Sequence, residues 1–181
     1  SSKGVLEALR RVKTPDEVSK MRQAAQLTDA VLTEVLPMLV PGVREIDLAL
    51  ELEFRMRRTG ADGAAFEIIV ASGPRSAMPH GTASSRQLED GDLVTIDLGA
   101  KLEGYHSDMT RAYPVGEVGV ELKRIYRAVK QAKRLALEEA RAGMGCKALD
   151  AVARDYLTLE GYGEAFAHSL GHGVGLAVHE A

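Results

Sequence analysis

The sequence is poor in several residue types, and each shortage narrows its function. One cysteine, Cys146, leaves no internal disulfide. There is no tryptophan, and five tyrosines and three phenylalanines are the whole aromatic content, which argues against a stacking platform for carbohydrate or single-stranded nucleic acid. Charge of one sign is lacking too. The 23 basic and 26 acidic residues are interleaved and leave a formal net charge of -3, so neither nucleic acid nor an anionic membrane finds an electrostatic footprint. No apolar run is long enough to span a bilayer or to serve as a signal core. A cytoplasmic setting is the expectation.

What is present is enough for one substantial core or two small ones: 181 residues, 45% hydrophobic and 27% charged. Thr14, Pro15 and Glu17 form a capping box with proline at the first helical position. Val18, Met21, Ala25, Leu32, Val35 and Leu39 then recur at helical spacing until Pro41 and Gly42, with Pro37 fraying the last turn. "REIDLALELEFRMRRTG" reads as a second helix closed by Gly60. "AFEIIVASG", "DLVTIDLGA" and "GYHSDMTRAYPVG" follow as strands separated by turns.

The order then repeats. Two further helices are predicted in "GVELKRIYRAVKQAKRLALEEARAG" and "CKALDAVARDYLTLEGYG", before "AFAHSLGHGVGLAVHEA" returns to strand and loop. "TGADGAAF" resembles "EGYGEAF", setting Gly60 against Gly161 and Phe66 against Phe166. A duplicated unit of two helices and strands predicts an α+β fold, helices over one face of a mostly antiparallel sheet, with a site between the halves on the other face. The region of Leu135, Ala136 and Leu137, with Met38 and Leu39, is expected in the core, and Cys146 is expected to be inertly packed beside Gly145.

"IDLGAKLEGYHSDMTR" places Asp97 and Asp108 on two strands of a hairpin. A turn centred on Leu102 and Glu103 would set the two acids directly opposite each other, where like charges destabilise the pair. Val94, Ile96 and Leu98 take the other face, so the register cannot slip without exposing them. Solvation at an edge, a shared proton and a bound cation each relieve the repulsion. His168, His172 and His179 lie within twelve residues, and "SAMPHG" adds His80. Gly171, Gly173 and Gly175 allow a close backbone approach around His172. Two acids and an imidazole suit Mn, Co, Fe or Zn.

"LEDGDLVTIDLGAKLEGYHSDMTRAYPVG" together with "HSLGHGVGLAVHEA" resembles the dinuclear metallopeptidases of pita-bread fold, which include methionine aminopeptidase, aminopeptidase P and prolidase. "YHSDMTR" and "GHGVGL" with "VHEA" are most similar to prolidase and aminopeptidase P. The resemblance runs from about Lys13 to the last residue. It implies two pseudo-symmetric halves of paired helices on a curved sheet, with residues 1–13 a linker or the end of a preceding domain and residues 14–181 a catalytic domain. Position by position it implies that Asp97 chelates one metal, Asp108 bridges two and His172 binds the other. His80, His168 and His179 would line the pocket and hydrogen-bond the substrate and the developing tetrahedral intermediate. His106 is taken as a neighbour, and Glu180, although beside His179, is not a ligand.

The activity implied is hydrolysis of Xaa-Pro bonds in a proline-containing peptide or dipeptide, by a hydroxide bridging two divalent ions, manganese first and cobalt, zinc or iron otherwise. Homodimers are common in that family. It also supplies two glutamate ligands beyond the "VHEA" segment, where this sequence stops. The 181-residue chain is therefore expected to bind metal weakly or at one site and to be inactive alone. Methionine aminopeptidase activity and a metal-free peptide- or protein-binding module are the competing readings, the latter disfavoured by the joint presence of Asp97, Asp108, His172 and His80.

Overall fold

Thr14 opens the first long helix as its sequence dictates. Its hydroxyl accepts the Glu17 N–H at 3.3 Å, and the Glu17 carboxylate accepts the Thr14 N–H at 2.7 Å. Pro15 takes the first helical position, where a missing N–H leaves nothing unsatisfied. The computed structural model describes residues 4–78 and 81–180. Its residues fall into two units, Ser1–Val118 with Gly173–Ala181, and Gly119–His172.

In the first unit a short helix α1 (Val5–Arg11) precedes α2 (Pro15–Val35), and Pro37 turns the end of α2 into a 3-10 turn at Leu36–Met38. Helix α3 (Glu45–Arg58) follows. The strands are β1 (Gly63–Ala64), β2 (Ile69–Ser72), β3 (Leu93–Leu98), β4 (Ala100–Leu102), β5 (Tyr105–His106) and β6 (Met109–Pro114). They form two antiparallel sheets, in the orders β2-β3-β6 and β1-β4-β5.

Val94, Ile96 and Leu98 of β3 are fully buried while Thr95 and Asp97 are half-buried, the period of two expected of a strand with one covered face. Leu48, Leu52 and Met56 of α3, one turn apart, cover that face together with Val31, Leu32 and Val35 of α2. Farther up α2 the apolar stripe leaves the core. Val18 and Ala25 are exposed and Met21 is half-buried.

The second unit holds α4 (Val120–Glu139) and α5 (Cys146–Leu159), packed through Ala128, Ala132, Ala136, Ala153 and Leu157. Small residues on α4 let the two helices approach. Only Ala136 of the expected 135–137 core region is buried, and Leu137 on the opposite side of the turn is 67% exposed. Met38 and Leu39 pack half-buried against the first unit's core. Cys146, expected to be inertly packed, is exposed: it opens α5 ahead of Leu149, the first residue of that helix packed against the alanine cluster.

The predicted repeat has a structural counterpart at the helix ends. After α3, Gly60 has φ 103° and donates to the Arg57 carbonyl, while Ala61 donates to the Met56 carbonyl. After α5, Gly161 has φ 87° and donates to the Thr158 carbonyl, while Tyr162 donates to the Leu157 carbonyl. Both are Schellman motifs closing over a buried apolar residue. The last segment differs from expectation. Residues 166–180 contain no strand, only an antiparallel bridge between Gly173 and Glu180, since three glycines leave a strand little to pack and let the chain fold back on itself.

Candidate metal and peptide site

The register of the hairpin decides how Asp97 and Asp108 meet. Asp97 lies opposite Thr110, and paired residue numbers sum to 207 in β3–β6 as well as in β4–β5. The expected direct opposition of the two acids is therefore wrong by two residues. Its cause is the turn, which is the pair Glu103–Gly104, with φ 48° and 82°. Positive φ at both positions is the requirement of a type I′ turn, which matches the strand twist, and it places Gly104 inside the turn, not after it.

The Ser107 N–H donates to the Ala100 carbonyl at 2.9 Å, in the same register, so Asp108 falls beside Gly99, diagonal to Asp97. Alternation leaves Asp97, Thr110 and Asp108 on one face. Diagonal neighbours stand roughly 7–8 Å apart, which relieves the repulsion of direct opposition yet still allows both acids to reach a common ligand. The Thr110 hydroxyl donates to Asp97 Oδ1 at 2.8 Å, which orients that carboxylate.

Ser107 is buried, and this turns its neighbour outward. Its hydroxyl lies 2.7 Å from that of Thr28 on α2, and the Ala100 N–H donates to both oxygens, at 2.9 and 3.1 Å. A side chain at Gly99 would collide with the Ser107 carbonyl. With Ser107 fixed inward, Asp108 is exposed and lines a cavity of about 480 Å³ shared with Met21, Arg22, Asp29, His106 and Arg111. The stripe of α2 that leaves the core thus forms a wall of this cavity. His106 Nδ1 is 3.2 Å from the Gly175 carbonyl, which also accepts the His106 N–H at 2.8 Å.

His179 is exposed on the loop closed by the Gly173–Glu180 bridge. Its neighbour Glu180 is pulled inward, only 6% exposed, by Arg10 and Lys13. Burial raises the Glu180 pKa, but the hydrogen bonds from Lys13, Arg10 and the Ala177 N–H outweigh it and hold it at about 2.

In the second unit, His168 and His172 are exposed. The His168 ring meets the Phe166 ring edge-on at 5.0 Å, with Nδ1 2.8 Å from the Ser169 carbonyl. Arg154 fixes this stretch. Its guanidinium donates to the carbonyls of Phe166 and His168, both at 2.8 Å. Asp150, one turn earlier, holds Arg154 by two hydrogen bonds of 2.7 and 3.1 Å and accepts the Leu170 N–H at 2.7 Å. Arg154 first, then that amide, keep the Asp150 carboxyl below its ordinary pKa. An aspartate four residues before an arginine is a readable helical signal, overlooked beside the histidines.

His80 lies outside the described residues, but the stems of its loop do not. Glu45, at the start of α3 and fully buried, accepts the N–H and hydroxyl of Ser72 at 2.7 Å each. Its other oxygen accepts from Ser84 N–H and Oγ at 3.0 and 2.6 Å and from Arg75 at 3.2 Å. Burial pushes the Glu45 pKa up, and the hydrogen bonds from Ser84 and Ser72 more than cancel it, leaving it below the usual value. Sequence reasoning missed this hub, whose partners lie 27 to 39 positions away.

Two hard carboxylates on one face of a sheet are fitting donors for a divalent cation. Among the described residues no group of three histidine, cysteine, aspartate or glutamate side chains converges to hold one. None of the described helices is long and apolar enough to cross a membrane. Residues 19–181 match metallopeptidase family M24.

The chain belongs to family M24. It is 46% identical over 176 residues to an uncharacterized peptidase, YqhT, of Bacillus subtilis, covering 97% of this chain and 50% of that protein. The solved structure of an Xaa-Pro dipeptidase from Bacillus anthracis superposes with TM-score 0.97 at 49% identity, over 98% of this chain and 50% of that one. An X-Pro aminopeptidase from Thermotoga maritima gives TM-score 0.94 at 44% identity, over 98% and 50%. These matches establish the α+β, pita-bread fold class for this M24 chain. It spans about half the length of the curated relatives it matches. Family M24 is a metallopeptidase family, so divalent metal is the cofactor class.

Proposed function

We propose that this M24 chain is the metal-binding part of a peptidase that hydrolyses Xaa-Pro bonds. The observation that carries the reading is the placement of Asp97 and Asp108 on one face of the hairpin, in a chain 49% identical to an Xaa-Pro dipeptidase. Asp97, Asp108 and His172 would hold two divalent ions, with manganese the proposed metal. Such ions supply Lewis acidity and an activated water when bound.

The chain's own groups do the rest of the work. Thr110 keeps Asp97 Oδ1 oriented by donating to it. Ser107, locked to Thr28 and Ala100, turns Asp108 toward the cavity. His80, His168 and His179 are proposed to hydrogen-bond the substrate and the charge that develops on its carbonyl oxygen. A proline after the scissile bond has no N–H and a fixed φ, so a pocket can select it by shape. A proline-containing dipeptide is the proposed substrate, a cytoplasmic location agrees with the single cysteine, and homodimer assembly follows the resemblance.

Assayed with Mn²⁺ at the length of its relatives, a protein carrying these residues is expected to release proline from Gly-Pro or Met-Pro. Asp97→Asn or Asp108→Asn should lower kcat by at least about 10²-fold, on the scale of losing a group that acts on developing charge. Release of N-terminal methionine with Gly-Pro and Met-Pro untouched would replace this reading with methionine aminopeptidase.

A further inference from the structure

Glu180 is a buried acid that the proposed chemistry does not use. It sits at the end of a loop that closes on itself: the Gly173 N–H donates to the Glu180 carbonyl at 3.1 Å, and the Glu180 N–H to the Gly173 carbonyl at 2.8 Å. Its carboxylate folds back into that loop, accepting the Ala177 N–H at 3.1 Å. It lies over Gly175 so closely that a Cβ there would stand 2.7 Å from Oε2. Two cations complete the arrangement. Lys13 donates to Oε2 at 3.0 Å, and the Arg10 guanidinium donates to Oε1 through Nε, at 3.1 Å, and through Nη2. From the other side His106 fastens the Gly175 carbonyl.

Arg10 belongs to α1, a helix that buries none of its own residues. Its apolar side chains Val5, Leu6 and Leu9 are all more than half exposed. The ion pair with Glu180 therefore ties to the loop a segment that the core does not hold. His179 directly precedes Glu180 in the bend of that loop, so the backbone that the Glu180 clamp holds is the backbone that carries the imidazole. The Glu180 side chain is held inward while the His179 side chain stands exposed.

We infer that Glu180, clamped by Arg10 and Lys13, is a positioning residue that sets the Gly173–Glu180 loop and with it the exposed imidazole of His179. The segment before α2 is thereby a working part of the site and not a tether. The inference rests on the reading of His179 as a pocket residue only for its functional meaning. Its geometry is tested without substrate.

The test is nuclear magnetic resonance of the uniformly ¹⁵N-labelled 181-residue chain. In Arg10→Ala and Glu180→Gln the His179 imidazole resonances should shift to those of a free side chain. Those of His168, in the other unit, should stay in place. The Ala177 amide should lose its protection from exchange. Arg10→Lys, which keeps the charge, should restore both signals. If Glu180→Gln fails to fold, Arg10→Ala alone decides, because that side chain is 41% exposed and supports no core. Unmoved His179 resonances in a folded Arg10→Ala variant would overturn the inference, as would an equal shift of His168. Loss of the Xaa-Pro assignment would leave these signals untouched, so the two readings fail separately.

Discussion

Glu45 shows what a single buried carboxylate can organise. It sits in the first turn of α3, where the helix dipole favours negative charge, and accepts five hydrogen bonds from three residues. Removing one side of such a network leaves its partners buried without an acceptor. Glu45→Ala is expected to destabilise the chain by about 3–5 kcal/mol in a urea melt. The same group predicts an acid limb. Its folded pKa lies below the ordinary 4.5, so the stability it contributes is complete above that value and is lost as pH falls through the folded one. Glu45→Gln, which cannot titrate, should flatten this part of the stability–pH curve. None of this is legible locally, because no periodicity marks Ser72 or Ser84 as partners of Glu45. Glu180 is the extreme case, with its cations 167 and 170 positions away.

At the scale of elements, what the sequence makes readable is what neighbours along the chain decide. The capping box at Thr14, the 3-10 turn at Pro37 and the glycine stops at Gly60 and Gly161 rest on contacts within four or five residues. The capping box, the frayed helix end at Pro37 and the Gly60 stop stand as read, and Gly161, which the sequence sets against Gly60, closes α5 in the same way. The register of the hairpin is different in kind, since moving a turn by one residue along the chain shifts every pair. Asp97 and Asp108 were legible as a pair sharing a face. Their offset was not, because it depends on Glu103 accepting positive φ, a conformation unusual outside glycine. Gly104→Ala should cost about 1–2 kcal/mol by denaturation, the penalty for a Cβ in the left-handed region. Glu103→Gly should cost nothing or stabilise slightly. It relieves φ 48° and gives up only the exposed pair with Lys20 at 3.3 Å, worth about 0–1 kcal/mol.

For the whole molecule, the metal site is legible as residue types more than as a constellation. Asp97, Asp108 and His179 belong to one unit and His168 and His172 to the other. No local rule of spacing brings residues from separate units together, and it was the joint motif that linked them. Calorimetric titration of the 181-residue chain with Mn²⁺ is expected to show at most one weak site, since two carboxylates have no third ligand among the described residues. Two tight sites would contradict that expectation. Asp108→Asn should abolish the weak site.

The double fastening of Ser72 and Ser84 onto Glu45 pins both ends of the stretch between them. Its ends stay put whatever chain runs between, and Arg75 adds a cross-brace to the Thr82 carbonyl at 2.6 Å. Closing a flexible loop of twice the length costs only about 0.6 kcal/mol more. Changes of length there are therefore expected to leave the strands beneath in place.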